Sequence, residues 1–365
     1  MTILVGVDAG ASRSTAFVAD DTLTVLARAA GAPGAVRPGA VKESSEAILD
    51  TTRRALEETR TDRAGALVVG AAGAGREPER GDLERALAAA GIADAVRVTT
   101  DIEIALVAGL GDEPGILLLA GTGSAACARL PSGELRRVGG HGWQFGDEGS
   151  GYWLARGALS AVAQASDGRG PPTALTAALA QAAGVEGEAA LLPWARNTSR
   201  GSVADLARVV QEVAARGDDL AHLLVAQAAE ALAAHARALR PHFADAAPVA
   251  VALAGGLLGP GSPVRTAVTS LLEADQPPLR LLAALVEPPR GALLLALHLA
   301  NASLFAFSTL SAVKNTPWKR ACTIPPALLS AGPPGPGPSA SGCARSRTRS
   351  TTAVPAPATG RNGST

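Results

Sequence analysis

The chain has 365 residues, 33 of them basic and 33 acidic, and 47% of it is hydrophobic. That length suits two lobes rather than one small core, the charge balance argues against a dedicated nucleic-acid binder, and the apolar content argues against a mostly disordered chain. Three cysteines (Cys127, Cys322, Cys343) without a CxxC or His/Cys cluster leave neither a disulfide framework nor a zinc site, and with no apolar run of about 20 residues and no cationic-then-apolar start, a cytoplasmic protein without a membrane span is expected.

Ile3–Val7 is a short apolar run bounded by Asp8 and Gly10, as in a buried strand. Thr15–Ala19 and Leu23–Ala29 follow as strands around a turn at Asp20-Asp21. Val41–Thr59 has helical spacing, with Ala47, Ile48 and Ala55 on its apolar face. Leu67–Val69 is a strand, Leu83–Ala90 a helix stopped by Gly91, and Val96–Val98 a strand leading into the helix Ile102–Leu110. Ile116–Ala120 and Ala125–Leu130 are strands around a glycine turn, followed by Leu135–Val138. The chain then becomes helical and Ala-rich over Tyr152–Gln164, Ala174–Ala183, Val203–Arg216 and Leu220–Leu239. Strand signal returns at Val249–Ala254 and Leu279–Leu282, with a helix near Val264–Glu273 between them and a closing helix after. Two successive sets of mixed strands and helices indicate an α/β protein with two sheet-containing lobes. Residues 301–365 hold seven basic side chains, no acidic one and nine of the 25 prolines. This tail reads as disordered or non-native, and the 300 residues before it, with 26 basic and 33 acidic side chains, should carry the function.

Five segments could carry chemistry. In Asp8-Ala9-Gly10-Ala11-Ser12-Arg13-Ser14-Thr15 a strand ends in Asp, a small-residue turn follows and a second strand begins. Backbone N–H groups in such a turn can approach a phosphate, Ser12 and Ser14 add hydroxyls, and Asp8 can hold Mg²⁺ through water. It is neither a P-loop, lacking GK[ST], nor a Rossmann turn, which would enter a helix. Gly121-Thr122-Gly123-Ser124 repeats the strand–glycine–strand pattern, and Gly255-Gly256 follows a buried strand where a flat ring could lie on the backbone. Thr99-Thr100-Asp101 puts a carboxylate at a strand end; capping of the next helix competes with a functional role there. Gly139–Trp153 sets Trp143, Phe145, Tyr152 and Trp153 among six glycines in a chain that is only 3% aromatic. A turn has no need of those rings, whereas a sugar site needs aromatic faces and a carboxylate such as Asp147. His141 suits hydrogen bonding or packing better than base chemistry, and Cys127 a buried strand position.

Together these segments resemble the actin-like ATPase superfamily, and within it the N-acetylglucosamine kinase branch grouped with the BadF/BadG/BcrA/BcrD-type ATPases. The resemblance spans about residues 3–300 and rests most on Gly146-Asp147-Glu148-Gly149-Ser150-Gly151-Tyr152-Trp153. It implies two ribonuclease-H-like lobes, 1–112 and 113–300 with a helical insert, around an ATP and Mg²⁺ cleft. It implies Asp101 as catalytic base; Gly10, Ala11, Ser12, Arg13, Ser14, Gly121, Thr122, Gly123, Gly255 and Gly256 for ATP; Asp101, Thr122, Gly140, Trp143 and Asp147 for the sugar; and Asp8 for the metal. The expected activity is phosphorylation of the 6-hydroxyl of N-acetylglucosamine or glucosamine. The alternative is a regulatory ATPase or sugar sensor of the same fold. Partners should be a small amino sugar and at most a second copy of the chain. Gly31–Arg37 has no Asn where these kinases usually place a sugar contact, which leaves the choice of amino sugar open. The absence of a ROK-type zinc cluster, and of any cysteine in residues 128–300, argues against the ROK kinases and the iron–sulfur dehydratase activators.

Overall fold

The computed structural model describes residues 2–244 and 248–314; the greater part of the basic tail lies outside the described residues. The first apolar runs form β1 (Leu4–Ala9), β2 (Ser14–Ala19), β3 (Val25–Gly31), β4 (Ala64–Ala71) and β5 (Ala93–Thr100), arranged in the order β3-β2-β1-β4-β5. β1 and β2 pair antiparallel through the hairpin, while β1, β4 and β5 run parallel because helices carry the crossovers. Alternation along β1 sends Val5, Val7 and Ala9 towards Ile48 and Leu56 of α1 (Val41–Glu57). Leu4 faces the other way, onto Ile104 of α3 (Asp101–Leu110). Both faces are covered, which is why β1 is apolar up to Asp8 near its end. α2 (Glu79–Ala89) begins four residues before the expected Leu83 and joins β4 to β5.

The second set is β6 (Gly115–Ala120), β7 (Ser124–Arg129), β8 (Leu135–Gly139), β9 (Val249–Ala254) and β10 (Leu279–Leu285), in the order β10-β9-β6-β7-β8. Strand by strand it repeats the order and directions of the first sheet. This duplication is the two-lobed actin-like arrangement that the motifs led one to expect. α3 lies between the sheets: Ile104 packs on the first, while Ala105 and Leu106 pack with Leu117, Cys127 and Ala252 of the second.

The outer face of the second sheet is covered by α4 (Gly151–Ser166), α7 (Arg200–Ala215), α8 (Asp219–Leu239) and α9 (Pro263–Ala274), with α5 (Leu175–Ala183) and α6 (Glu188–Asn197) packed beyond them. Helix α6 is absent from the sequence expectation because Pro193 sits inside it and reads as a breaker.

The closing helix α10 runs Pro288–Lys314, past the expected end of the second lobe at 300. It follows the second sheet in sequence, yet Ala292, Leu293 and Ala296 are buried against the first. Two glycines permit the docking. A Cβ on Gly6 would lie 2.4 Å from the Pro289 carbonyl oxygen, and one on Gly291 would lie 1.8 Å from that of Ile104. Among the described residues no helix is long and apolar enough to cross a membrane.

Candidate active site

The two β-hairpins, one per sheet, each close on themselves by a short-range backbone bond from the leading glycine. Gly10 N donates to Arg13 O at 3.0 Å, and Gly121 N donates to Gly123 O at 2.9 Å. The fold brings them to one cleft of about 590 Å³, lined by Ser12 and Arg13 from the first, Gly121 and Thr122 from the second, and Gly256 and Leu257 after β9. Gly255, at φ 96°, has no room for a side chain, since a Cβ would lie 2.3 Å from the Ala120 carbonyl oxygen. That close approach sets the third glycine turn against the second. Gly10, Ala11 and Gly123 shape the turns without lining the cleft.

Ser14 corrects the expected phosphate set. Opposite residues of a pair share a face, and Ser14 pairs with Ala9 while Thr15 pairs with Asp8. The Ser14 hydroxyl is therefore buried on the α1 side, 2.6 Å from where a Gly34 Cβ would stand, with no hydrogen-bond partner. Thr15 shares the face of Asp8 instead. Three cleft residues escaped sequence reasoning: Asp205, Arg208 and Gln211 of α7. Their spacing of three, which puts polar side chains on one face of the helix, is the signal that could have found them.

Asp101 is the first residue of α3 but does not cap it. Thr100 is extended, and its hydroxyl accepts from Glu103 N at 3.1 Å. The Asp101 carboxylate accepts from the Ile102 N–H at 3.0 Å and from its own backbone N–H. The competing capping role thus belongs to Thr100. Burial pushes the Asp101 carboxyl up, against the Ile102 bond and the Arg137 charge. Asp8, at the end of β1, is pushed up to about 6 by burial and by the negative charge of Asp101, with Arg13 opposing. The two carboxylates therefore sense one another, although neither lines the cleft itself.

Arg137 is the cation that sequence reasoning passed over. It pairs with Cys127 across β7 and β8, so it shares the face that packs on α3. Its guanidinium donates to Gly140 O at 2.6 Å, and a Cβ on Gly140 would stand 2.0 Å from the same group. Gly140, at φ 68°, thus lies against an arginine whose charge reaches Asp101. Cys127 is buried as expected, and burial pushes its thiol up to about 11. It is no nucleophile at neutral pH.

The loop from Gly139 to Ser150 is fastened on both sides. Gly151 N donates to Gly121 O at 2.8 Å, and the Ser124 hydroxyl donates to Glu148 O at 2.7 Å. Gly149 presses on α8, where a Cβ would stand 2.5 Å from the Ala228 oxygen. Asp147 takes the left-handed φ of 57°, a strained value for a non-glycine residue. Its carboxylate lies over Gly123, 3.0 Å from a notional Cβ there, and 3.5 Å from Ser124 N. Beneath the loop, His235 of α8 stands 3.6 Å from the Glu148 carboxylate. Burial pushes its imidazole below the ordinary value, with Glu148 opposing.

The four aromatics of this stretch divide. Trp143 stays on the loop, 43% exposed, as does Phe145 at 82%. Tyr152 and Trp153 turn into a separate groove among the helices, because α4 starts at Gly151 and imposes its own periodicity. Tyr152 still meets Trp143 edge-on, with ring centroids 5.8 Å apart.

Known proteins carry the same fold. A sequence profile of the BadF/BadG/BcrA/BcrD ATPase family matches residues 5–296. An N-acetylmuramic acid/N-acetylglucosamine kinase of Clostridium acetobutylicum is 26% identical over 236 residues, covering 64% of this chain and 77% of that protein. The crystal structure of a putative N-acetylglucosamine kinase from Chromobacterium violaceum superposes with a TM-score of 0.68 at 32% identity, covering 81% of this chain and 99% of that one. A ROK-family glucokinase from Streptomyces griseus shares the fold, with a TM-score of 0.54 at 20% identity over 80% and 99% of the two chains.

Proposed function

The chain belongs to the BadF/BadG/BcrA/BcrD ATPase family, and from that membership we propose that it is an ATP-dependent amino-sugar kinase acting on the 6-hydroxyl of N-acetylglucosamine, with glucosamine second. The observation that carries this reading is the position of Asp101. Its carboxylate is spared from capping by Thr100 and sits within electrostatic reach of Asp8 on the phosphate side and Arg137 on the loop side. A proton acceptor between a phosphate cleft and an aromatic, carboxylate-bearing loop suits an alcohol attacking a terminal phosphoryl group.

Asp101 accepts the proton of the 6-hydroxyl as its oxygen bonds to the γ-phosphorus and the bond to the β-phosphate oxygen breaks, releasing ADP. Positioning and charge stabilisation do most of this work. Backbone N–H groups of the hairpins at Ser12–Arg13 and Gly121–Thr122 hold the polyphosphate, and Gly255-Gly256 admits the nucleoside. Thr122, Gly140, Trp143 and Asp147 hold the sugar. Asp8 fits a hydrated Mg²⁺: two neighbouring carboxylates, one raised to about 6, are short of positive charge. A cation held there would neutralise phosphate oxygens.

A coupled ATP-consumption assay across amino sugars and hexoses tests the proposal. Turnover stimulated by N-acetylglucosamine, with the phosphate on carbon 6 by NMR, is the expected result. ATP hydrolysis indifferent to every sugar would overturn it and favour a regulatory ATPase.

A further inference from the structure

A second cavity, of about 650 Å³, lies among α4, α6 and α8, outside the nucleotide cleft. Its lining includes Tyr152, Trp153, Arg156 and Ser160 of α4, Arg196 of α6 and Gln227 of α8, and no Asp or Glu. Helical spacing accounts for the α4 set, since residues 153, 156 and 160 fall on one face. Among the described residues, the side chains of Arg156 and Arg196 make no hydrogen bond or ion pair. That matters in a body where residues 1–300 carry seven more acids than bases. Two exposed arginines from different helices line one hollow whose lining holds no carboxylate. Arginine forks match the oxygens of a phosphate, each bond charge-assisted. Ser160, Gln227 and the Tyr152 hydroxyl offer neutral donors and acceptors, and Trp153 a flat apolar wall. Phosphate at one end and a hydroxyl-bearing ring at the other meets both halves of that lining.

We propose that this hollow among α4, α6 and α8 is a second ligand site that binds a sugar monophosphate, with Arg156 and Arg196 on the phosphate. The site is wired to the cleft through α4. Its first residue, Gly151, donates to the Gly121 oxygen of the second hairpin, and its second, Tyr152, meets Trp143 of the loop edge-on. Val203 of α7 lines the second site, while its neighbours Ala204 and Asp205 line the cleft. A ligand against Tyr152 and Trp153 therefore bears on the helix end that anchors both loops. Only the identity of the natural ligand, the kinase's own product, rests on the proposed function.

The test is isothermal titration of N-acetylglucosamine 6-phosphate into the full chain with the cleft filled by N-acetylglucosamine and a non-hydrolysable ATP analogue. The same titration is run on the double variant Arg156→Gln/Arg196→Gln. Binding of one equivalent to the filled wild type, weakened at least about tenfold in the double variant, is expected. The variant should keep its turnover and its melting temperature. No binding to the filled wild type, or equal binding to both proteins, would overturn the proposal, as would inorganic phosphate binding as tightly as the sugar phosphate. If the protein turns over no sugar, the titration is run on the unfilled chain. A loss of affinity specific to the double variant then upholds the site while the kinase assignment falls.

Discussion

Replacing Asp8 with Asn asks what the cleft costs the fold. The Asp8 carboxyl moves from an ordinary 3.8 to about 6, mainly through burial, then through the charge of Asp101, with Arg13 opposing. A rise of about two units at roughly 1.36 kcal/mol each puts a penalty of about 3 kcal/mol, as an upper figure, on the ionised group in the folded protein. Because the folded value lies above the unfolded one, the penalty is absent while Asp8 is protonated in both states. It grows from about pH 4 to about pH 6 and is complete above that. Asp8→Asn should therefore be more stable than the wild type at pH 7.5, by roughly 5 °C in Tm, and no more stable at pH 4. Turnover should collapse, a trade of function for stability. Circular-dichroism melts of the full chain from pH 4 to pH 8, without nucleotide or divalent ions, measure the gap. A gap constant across that range, or an Asn variant that melts below the wild type at pH 7.5, would refute the electrostatic reasoning.

Asp101→Asn should lower kcat by about 10²–10⁴-fold with a Tm no lower than that of the wild type, since burial raises its carboxyl too, whereas Thr100→Ala should cost about 1 kcal/mol of stability; steady-state kinetics and melts distinguish base from cap. Asp147→Ala should raise KM for the sugar about 10- to 100-fold and leave KM for ATP nearly alone, and calorimetry finding equal sugar affinity would remove Asp147 from the sugar site. Ending the chain after Lys314 should preserve folding and activity. Ending it at Glu287 removes the buried Ala292, Leu293 and Ala296 and should leave insoluble protein, which expression and melting curves will report.

Local rules made much of this protein legible from its residues alone. Apolar runs bounded by glycine or Asp announced the strands, and repetition of strand, glycine turn and strand at Asp8–Thr15 and Leu119–Ala125 announced two like sheets. The Gly146–Trp153 run pointed to the family, because few folds place those residues in that order. What sequence could not supply was the side on which each group ends up. Ser14 and Thr15 are chemically near-equivalent, and only the pairing register puts Thr15 on the face of Asp8 and buries Ser14 on the α1 side. Thr100 and Asp101 are both good caps, and only the backbone at the strand end gave the cap to Thr100. Arg137 and the polar stripe of α7 became site residues through packing between elements distant in sequence. Helix α10 likewise returns to the first sheet because Gly6 and Gly291 let backbones meet that any Cβ would hold apart. Propensity and periodicity are properties of neighbours along the chain, while the cleft is made by residues that become neighbours only after folding.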